Sequence, residues 1–246
     1  MINMRIVIEL NTNKIPLNYN YLILSLIKNN LSKENQMLFN KLYEENNDYE
    51  FRTKPFTFSV KFEDFKIENE EVLLKKRVLL TISTSDYIIG SVIYNSFLKE
   101  KDYEYQNKYR LQIGKVSVLK EKNINSNQVV FKTLSPVIIR NKAGEFLTID
   151  DSNYEKELNY IVDSNIKSYR GNGLKEELKF EPVLMKKRVI KERISEFTEK
   201  TGKDIFYITG YKGIFKLTGD KEDLNLIYKM GLGFRRSSGF GCLEIV

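Results

Sequence analysis

Twice along this chain the spacing of apolar residues switches between the two-residue period of a strand and the 3.6-residue period of a helix, both times in the same order. Residues 4–10 alternate and read as a strand, while Tyr21, Leu22, Leu24 and Leu26 predict a helix over 18–31. A second helix is expected over 32–46 with Ser32 as its N-cap, although Asn35 stands where a capping box needs Glu or Gln. Aromatic and β-branched runs predict strands over 54–62 and 73–83. Ile88, Ile89, Val92, Ile93 and Phe97 mark one face of a helix over 85–99, and a strand follows over 109–119. The second half repeats the plan. It reads as strand 128–139, helix 151–168, strand 178–190, strand 205–217 with an irregularity at its glycines, helix 220–230 and strand 240–246.

Each half therefore reads β-α-β-β-α-β, an order that makes a four-stranded antiparallel sheet with two helices on one face. The fold class expected is α+β, two tandem ferredoxin-like (RRM-like) domains over residues 1–120 and 127–246, joined through the polar, unpatterned LKEKNINSN of 119–127. Two units of about 120 residues can each bury a modest core. Apolar stretches such as 21–27 are far shorter than the roughly 20 residues that cross a bilayer, so no membrane partner is expected. The alternating N-terminus reads as a strand and not as a signal peptide.

Two absences limit the chemistry. There is no histidine, which removes serine and cysteine triads, imidazole acid–base catalysis and histidine-ligated zinc. Cys242 is the only cysteine, so no intramolecular disulfide can form, and a reducing cytoplasm is the expected compartment. No metal site and no cofactor are expected. Lysine, tyrosine, arginine, serine, carboxylates and backbone are what remain for a catalyst. The charge is uneven: residues 1–100 carry 13 basic and 13 acidic groups, whereas 101–246 carry 27 and 20. An excess confined to one half suggests a polyanionic partner, nucleic acid foremost.

The most informative stretch is Gly231-Leu-Gly233-Phe-Arg235-Arg236-Ser237-Ser238-Gly239-Phe-Gly241, between a helix and the last strand. Glycines let backbone N–H groups approach phosphate oxygens, arginines fork onto them and serines add donors. That makes Gly231, Gly233, Arg235, Arg236, Ser237, Ser238, Gly239 and Gly241 a candidate RNA-binding cradle. The alternative is a glycine-rich turn carrying surface arginines. It is neither a Walker loop nor a dinucleotide fingerprint.

This loop resembles the C-terminal glycine-rich motif of the RAMP superfamily. The similarity widens to the CRISPR RNA-processing endoribonucleases (the Cas-six family) through LNYNYLILSLI at 17–27, KPFTFS at 54–59, FKTLSPVIIR at 131–140, MKKRVIK at 185–191 and the segment 227–246. The resemblance implies binding of a CRISPR repeat RNA. It also implies metal-independent cleavage by the upstream 2′-hydroxyl, leaving a 2′,3′-cyclic phosphate and a 5′-hydroxyl. Many members carry a catalytic histidine in a Leu-His-Glu or Leu-His-Asp motif; here the motif is Leu42-Tyr43-Glu44, with Tyr43 in the histidine position. The family's first-helix tyrosine falls at Lys28, and its lysine before the Phe-Thr strand at Lys54. The catalytic set implied is thus Lys28, Tyr43 and Lys54, in which clustered cations are expected to lower the pKa of a lysine or of the tyrosine.

Other residues have two readings each. Of Lys186, Lys187 and Arg188 in one strand, at most two share a face, so Lys186 and Arg188 are assigned to RNA and the alternative is a charged sheet edge. Arg170 heads either a loop over RNA or a linker, and at least one of Tyr19 and Tyr21 should face the core. Glu44, Glu45, Asp48 and Glu50 form an acidic face that would repel RNA. Thr57 and Ser59 are read as structural and Cys242 as buried. Two further functions stay open: a repeat-RNA binder without catalysis, and a RAMP-type structural subunit of a CRISPR effector complex, against which KPFTFS and LSPVIIR argue. Association with an effector complex and homodimerisation are open as well.

Overall fold

The structure, a computed structural model, describes residues 4–43, 53–192 and 205–246. In the first half β1 (Met4–Asn11) sits inside a five-stranded antiparallel sheet with β3 (Phe56–Phe62), β6 (Val78–Thr84), β7 (Asp102–Tyr105) and β8 (Tyr109–Leu119), in the order β3-β6-β1-β8-β7. Ile6, Ile8 and Leu10 of β1 are fully buried, as strict alternation on one core-facing side requires. The helices α1 (Tyr19–Glu34) and α3 (Tyr87–Lys99) pack on each other and complete that core. A separate small sheet pairs β2 (Lys14–Pro16), β5 (Glu71–Leu74) and β4 (Phe65–Glu68).

The second half has the sheet order β10-β11-β9-β12, built from β9 (Gln128–Thr133), β10 (Lys179–Glu192), β11 (Phe206–Thr218) and β12 (Leu243–Ile245). Its helices are α4 (Tyr154–Arg170) and α5 (Lys221–Met230). In both halves the first strand lies between the third and the last, and the second strand pairs with the third. This is the ferredoxin-like arrangement, present twice in tandem. Among the described residues no helix is long and apolar enough to cross a membrane.

Local chemistry moves several expected boundaries. The first helix runs on through Ser32 to Glu34. The break comes at Asn35, whose Oδ1 accepts the Leu38 amide at 2.9 Å and starts α2 (Gln36–Tyr43); Ser32 instead bonds back to the Asn29 carbonyl. Residues 44–46 of the expected second helix lie outside the described residues, as do Glu45, Asp48 and Glu50. The single strand expected over 73–83 is two, because β5 belongs to the small sheet and the chain turns at 75–77 before entering β6. Strand β9 stops at Thr133, ahead of Pro136, which cannot donate to a ladder. On α3, Asp86 caps the helix by accepting the Ile89 amide at 3.0 Å, and Ile88 points outward at 63% exposure.

The halves are joined by Arg5, a residue on the reverse side of β1. It is 1% exposed, donates to Glu244 Oε2 and to the Leu243 carbonyl at 2.7 Å each, and lies 4.3 Å from the Tyr228 ring centre. Thr57 Oγ1 donates to the Phe240 carbonyl at 2.8 Å, and Ser135 Oγ to that of Phe58 at 3.3 Å. Arg5→Met should lower unfolding free energy by about 2–3 kcal/mol, since it removes a charged donor from the Leu243 carbonyl and from the partly exposed Glu244 carboxylate. Urea midpoints check this; Glu244→Gln, which keeps an acceptor, should cost less.

Candidate active site

Three elements bring Lys28, Tyr43 and Lys54 together. Lys28 stands on α1 beside the buried stripe of Leu26 and Ile27, Tyr43 is the last residue of α2, and Lys54 precedes β3 by two positions. The Lys28 ammonium lies 4.5 Å from the Tyr43 ring centre and that of Lys54 4.7 Å, both over the ring. Phe39, one helical turn earlier, stacks on Tyr43 with centroids 5.2 Å apart. An aromatic face attracts cations through its quadrupole, so one ring can hold two ammonium groups that otherwise repel.

The acidity expected of Tyr43 is not what the structure shows. Its hydroxyl is buried and has no hydrogen-bond partner among the described residues. Burial pushes the phenol well above its usual range in spite of the two ammonium groups, because an ionised oxygen there would lose its water without gaining a donor. Toward Lys28 and Lys54, Tyr43 presents its ring face. Lys54 shifts as expected: partial burial, and then the charge of Lys28, hold its ammonium below the ordinary lysine range.

The glycine-rich segment runs from Gly231, at the end of α5, through a single 3-10 turn at Arg236–Ser238 into β12. Gly231, Gly233, Gly239 and Gly241 are all buried. A Cβ at Gly239 (φ +90°) would lie 2.6 Å from the Phe58 ring, and one at Gly241 (φ +67°) only 1.9 Å from the Leu232 carbonyl. The amides of Leu232, Phe234 and Gly241 donate to the carbonyls of Gly241, Ile138 and Pro136 at 2.8–2.9 Å. At these glycines the missing Cβ makes room for neighbouring protein. Arg236 is 5% exposed, donates to the Met230 carbonyl at 3.0 Å and is pushed down to about 10 by burial. Arg235 pairs with the buried Glu192 at 2.8 Å, and the Tyr21 hydroxyl donates to the same oxygen at 2.8 Å. Tyr19 packs edge-on against Phe62 in the first core.

One stretch of the segment remains open. Gly233, Phe234, Arg235, Arg236 and Ser237 wall a cavity of about 190 Å³ with Lys54, Thr53, Ile161 and Asn165. Ser238 sits beyond it in the 3-10 turn, and Gly239 faces a different cavity of about 90 Å³ between α1 and the second sheet. Lys212 and Ile190 line that other cavity. Lys186 is paired in register with Lys212, and Arg188 with Lys132 helps to depress the Lys212 ammonium after its partial burial. Lys186 and Arg188 therefore belong to a basic patch on the second sheet, apart from the lysines over Tyr43. Arg170 is neither an RNA flap nor a linker: it forms an ion pair with the buried Asp223 at 2.7 Å. Sequence reasoning missed Arg5, Glu192 and Asn165, and nothing local could have signalled partners that lie far away along the chain.

Residues 119–245 match the family described as CRISPR associated protein Cas6, C-terminal. The chain belongs to the Cas6 family. It is 24% identical to the CRISPR-associated endoribonuclease Cas6 of Pyrococcus furiosus, over 94% of this chain and 84% of that protein. A solved structure of a Cas6-related gene product from Pyrococcus furiosus shares the fold with a TM-score of 0.82 at 23% identity, covering 99% of this chain and 98% of that one. A RAMP protein that binds different RNA substrates superposes with a TM-score of 0.79, also at 23% identity, over 99% of both chains.

The Lys28–Lys54 charge pair has a direct test. Removing a neighbouring cation favours the protonated form, so Lys28→Ala should move the Lys54 titration upward, whereas Tyr43→Phe should leave it in place. NMR of isotope-labelled lysine side chains across the alkaline range reads both; an unmoved Lys54 in Lys28→Ala would rule out the coupling.

Proposed function

We propose that this chain binds the repeat of a precursor CRISPR RNA and cuts it without a metal ion, by in-line attack of a ribose 2′-hydroxyl on the adjacent phosphate. The observation that carries this reading is the convergence of Lys28 and Lys54 over Tyr43, with Lys54 opening onto the cavity walled by Gly233–Ser237. The 2′-oxygen forms a bond to phosphorus and the bond to the 5′-oxygen breaks. A 2′,3′-cyclic phosphate and a 5′-hydroxyl result, with one proton leaving the nucleophile and one reaching the leaving oxygen.

Lys54 is assigned the proton transfer, because its lowered pKa makes the neutral amine more accessible than in an ordinary lysine. Lys28 supplies positive charge to the phosphorane. Tyr43 holds both ammonium groups in place through its ring. Gly233, Arg236 and Ser237 border the space for the phosphate, while Arg235 is first committed to Glu192. Proton transfer is worth about 10²–10⁴-fold, so a site relying on lysine rather than imidazole is expected to be slow. Lys186, Arg188 and Lys212 are assigned to a more distant part of the RNA, and residues 1–120 and 127–246 act as the two halves that grip it.

A second reading, binding without cleavage, is favoured by the burial of the hydroxyl of Tyr43, the residue matching the family's histidine, which pushes its pKa well above the usual phenol range. Repeat RNA incubated with the protein in EDTA separates the two. Cleavage should leave a cyclic phosphate, and a repeat with 2′-deoxyribose at the cut site should bind and stay whole. Lys54→Ala should slow single-turnover cleavage by about 10²-fold or more while changing affinity little. Affinity should fall steeply with salt, as phosphate contacts release counterions. Tight binding with intact RNA would leave the binding reading alone.

A further inference from the structure

The cavity at Lys54 is bordered on one side by α4, through Ile161 and Asn165. The outward positions of the same helix, Lys156, Tyr160, Ser164 and Lys167, are all exposed and fall three or four residues apart, which places them in one stripe. Asp163, three residues after Tyr160 and four before Lys167, borders this stripe. The helix's carboxylates are turned elsewhere: Glu155 accepts the Phe180 amide, Asp163 the Leu174 amide, and one Glu157 oxygen is buried.

A turn extends the stripe toward the glycine-rich segment. Asn141 bonds to Glu145 through backbone and side chain, and a Cβ at Gly144 (φ +91°) would lie 2.6 Å from the Arg140 guanidinium. The turn sets Arg140 5.4 Å from the Phe234 ring centre and the Lys142 ammonium 4.7 Å from that of Tyr160. Phe234 itself walls the cavity at Lys54. A path of two cation–ring pairs thus leads outward from the cavity, past Phe234 and Arg140 to Lys142 and Tyr160. Tyr160 is 54% exposed and lies outside the hydrophobic cores of the described residues.

We propose that this path carries the unpaired nucleotides adjoining the scissile phosphate, with a base stacked on Tyr160 and phosphates met by Lys142, Lys156 and Lys167. The assignment rests on the RNA reading above and adds the route by which RNA reaches Lys54. An exposed ring interleaved with cations suits nucleic acid, because every base presents a π-face and every linkage a negative charge.

The test uses the whole protein with a non-cleavable repeat RNA, deoxy at the cut site and carrying 2-aminopurine among the nucleotides beside it. Tyr160→Ala should weaken binding about tenfold and abolish the fluorescence change, and Tyr160→Phe should restore both. Lys142→Ala with Lys167→Ala should reduce the salt slope by about 2, whereas Lys101→Ala on the far half should not. Unchanged affinity and fluorescence in Tyr160→Ala, with wild-type binding intact, overturns the path and leaves the cleavage reading standing. Loss of both in Tyr160→Ala, with wild-type protein that binds but never cuts cleavable RNA, supports the path and removes the cleavage reading. Wild-type protein that binds no repeat RNA removes both.

Discussion

The connection from α5 to β12 lies flat against β3, with no room between them for one side-chain carbon at Gly239. Thr57 and Phe58 of the first half touch Phe240 and Gly239 of the second, and Arg5 adds a buried charge tie a few residues further on. That contact brings the segment before β3, and with it Lys54, to the wall of a cavity made by the second half. A looser joint would separate Lys54 from the cavity walled by Gly233–Ser237.

Within that frame the electrostatics solve a problem set by composition. A chain without histidine has no side chain whose ordinary pKa lies near neutrality. Partial burial, and then the charge of Lys28, move the Lys54 ammonium toward that range. The tyrosine pays no part of this by ionising; burial of its hydroxyl pins it neutral. Glu192 does the opposite for Arg235, holding one arginine of the segment as half of an ion pair.

The alternation in residues 4–10 and the helical stripes at 18–31, 85–99 and 151–168 were legible, because each reflects burial on one face of a local element. The split of 73–83 into β5 and β6 was not, since both pieces have strand composition and only their partners differ. Lys28, Tyr43 and Lys54 were reached through resemblance; nothing in their spacing says that they meet. The two readings of the glycines could not be separated there, because a glycine that admits a phosphate and one that admits a neighbouring strand look alike in sequence.

By itself the sequence determined the β-α-β-β-α-β order of each half, the absence of imidazole chemistry and the basic excess of residues 101–246, because these follow from local periodicity and from composition. Only the tertiary structure decided that Arg236 is buried, that Arg235 is bound to Glu192, and that two lysines share the ring of Tyr43. Those facts depend on groups brought together from distant positions, and their pKa shifts and accessibility come from the water that the packing removes.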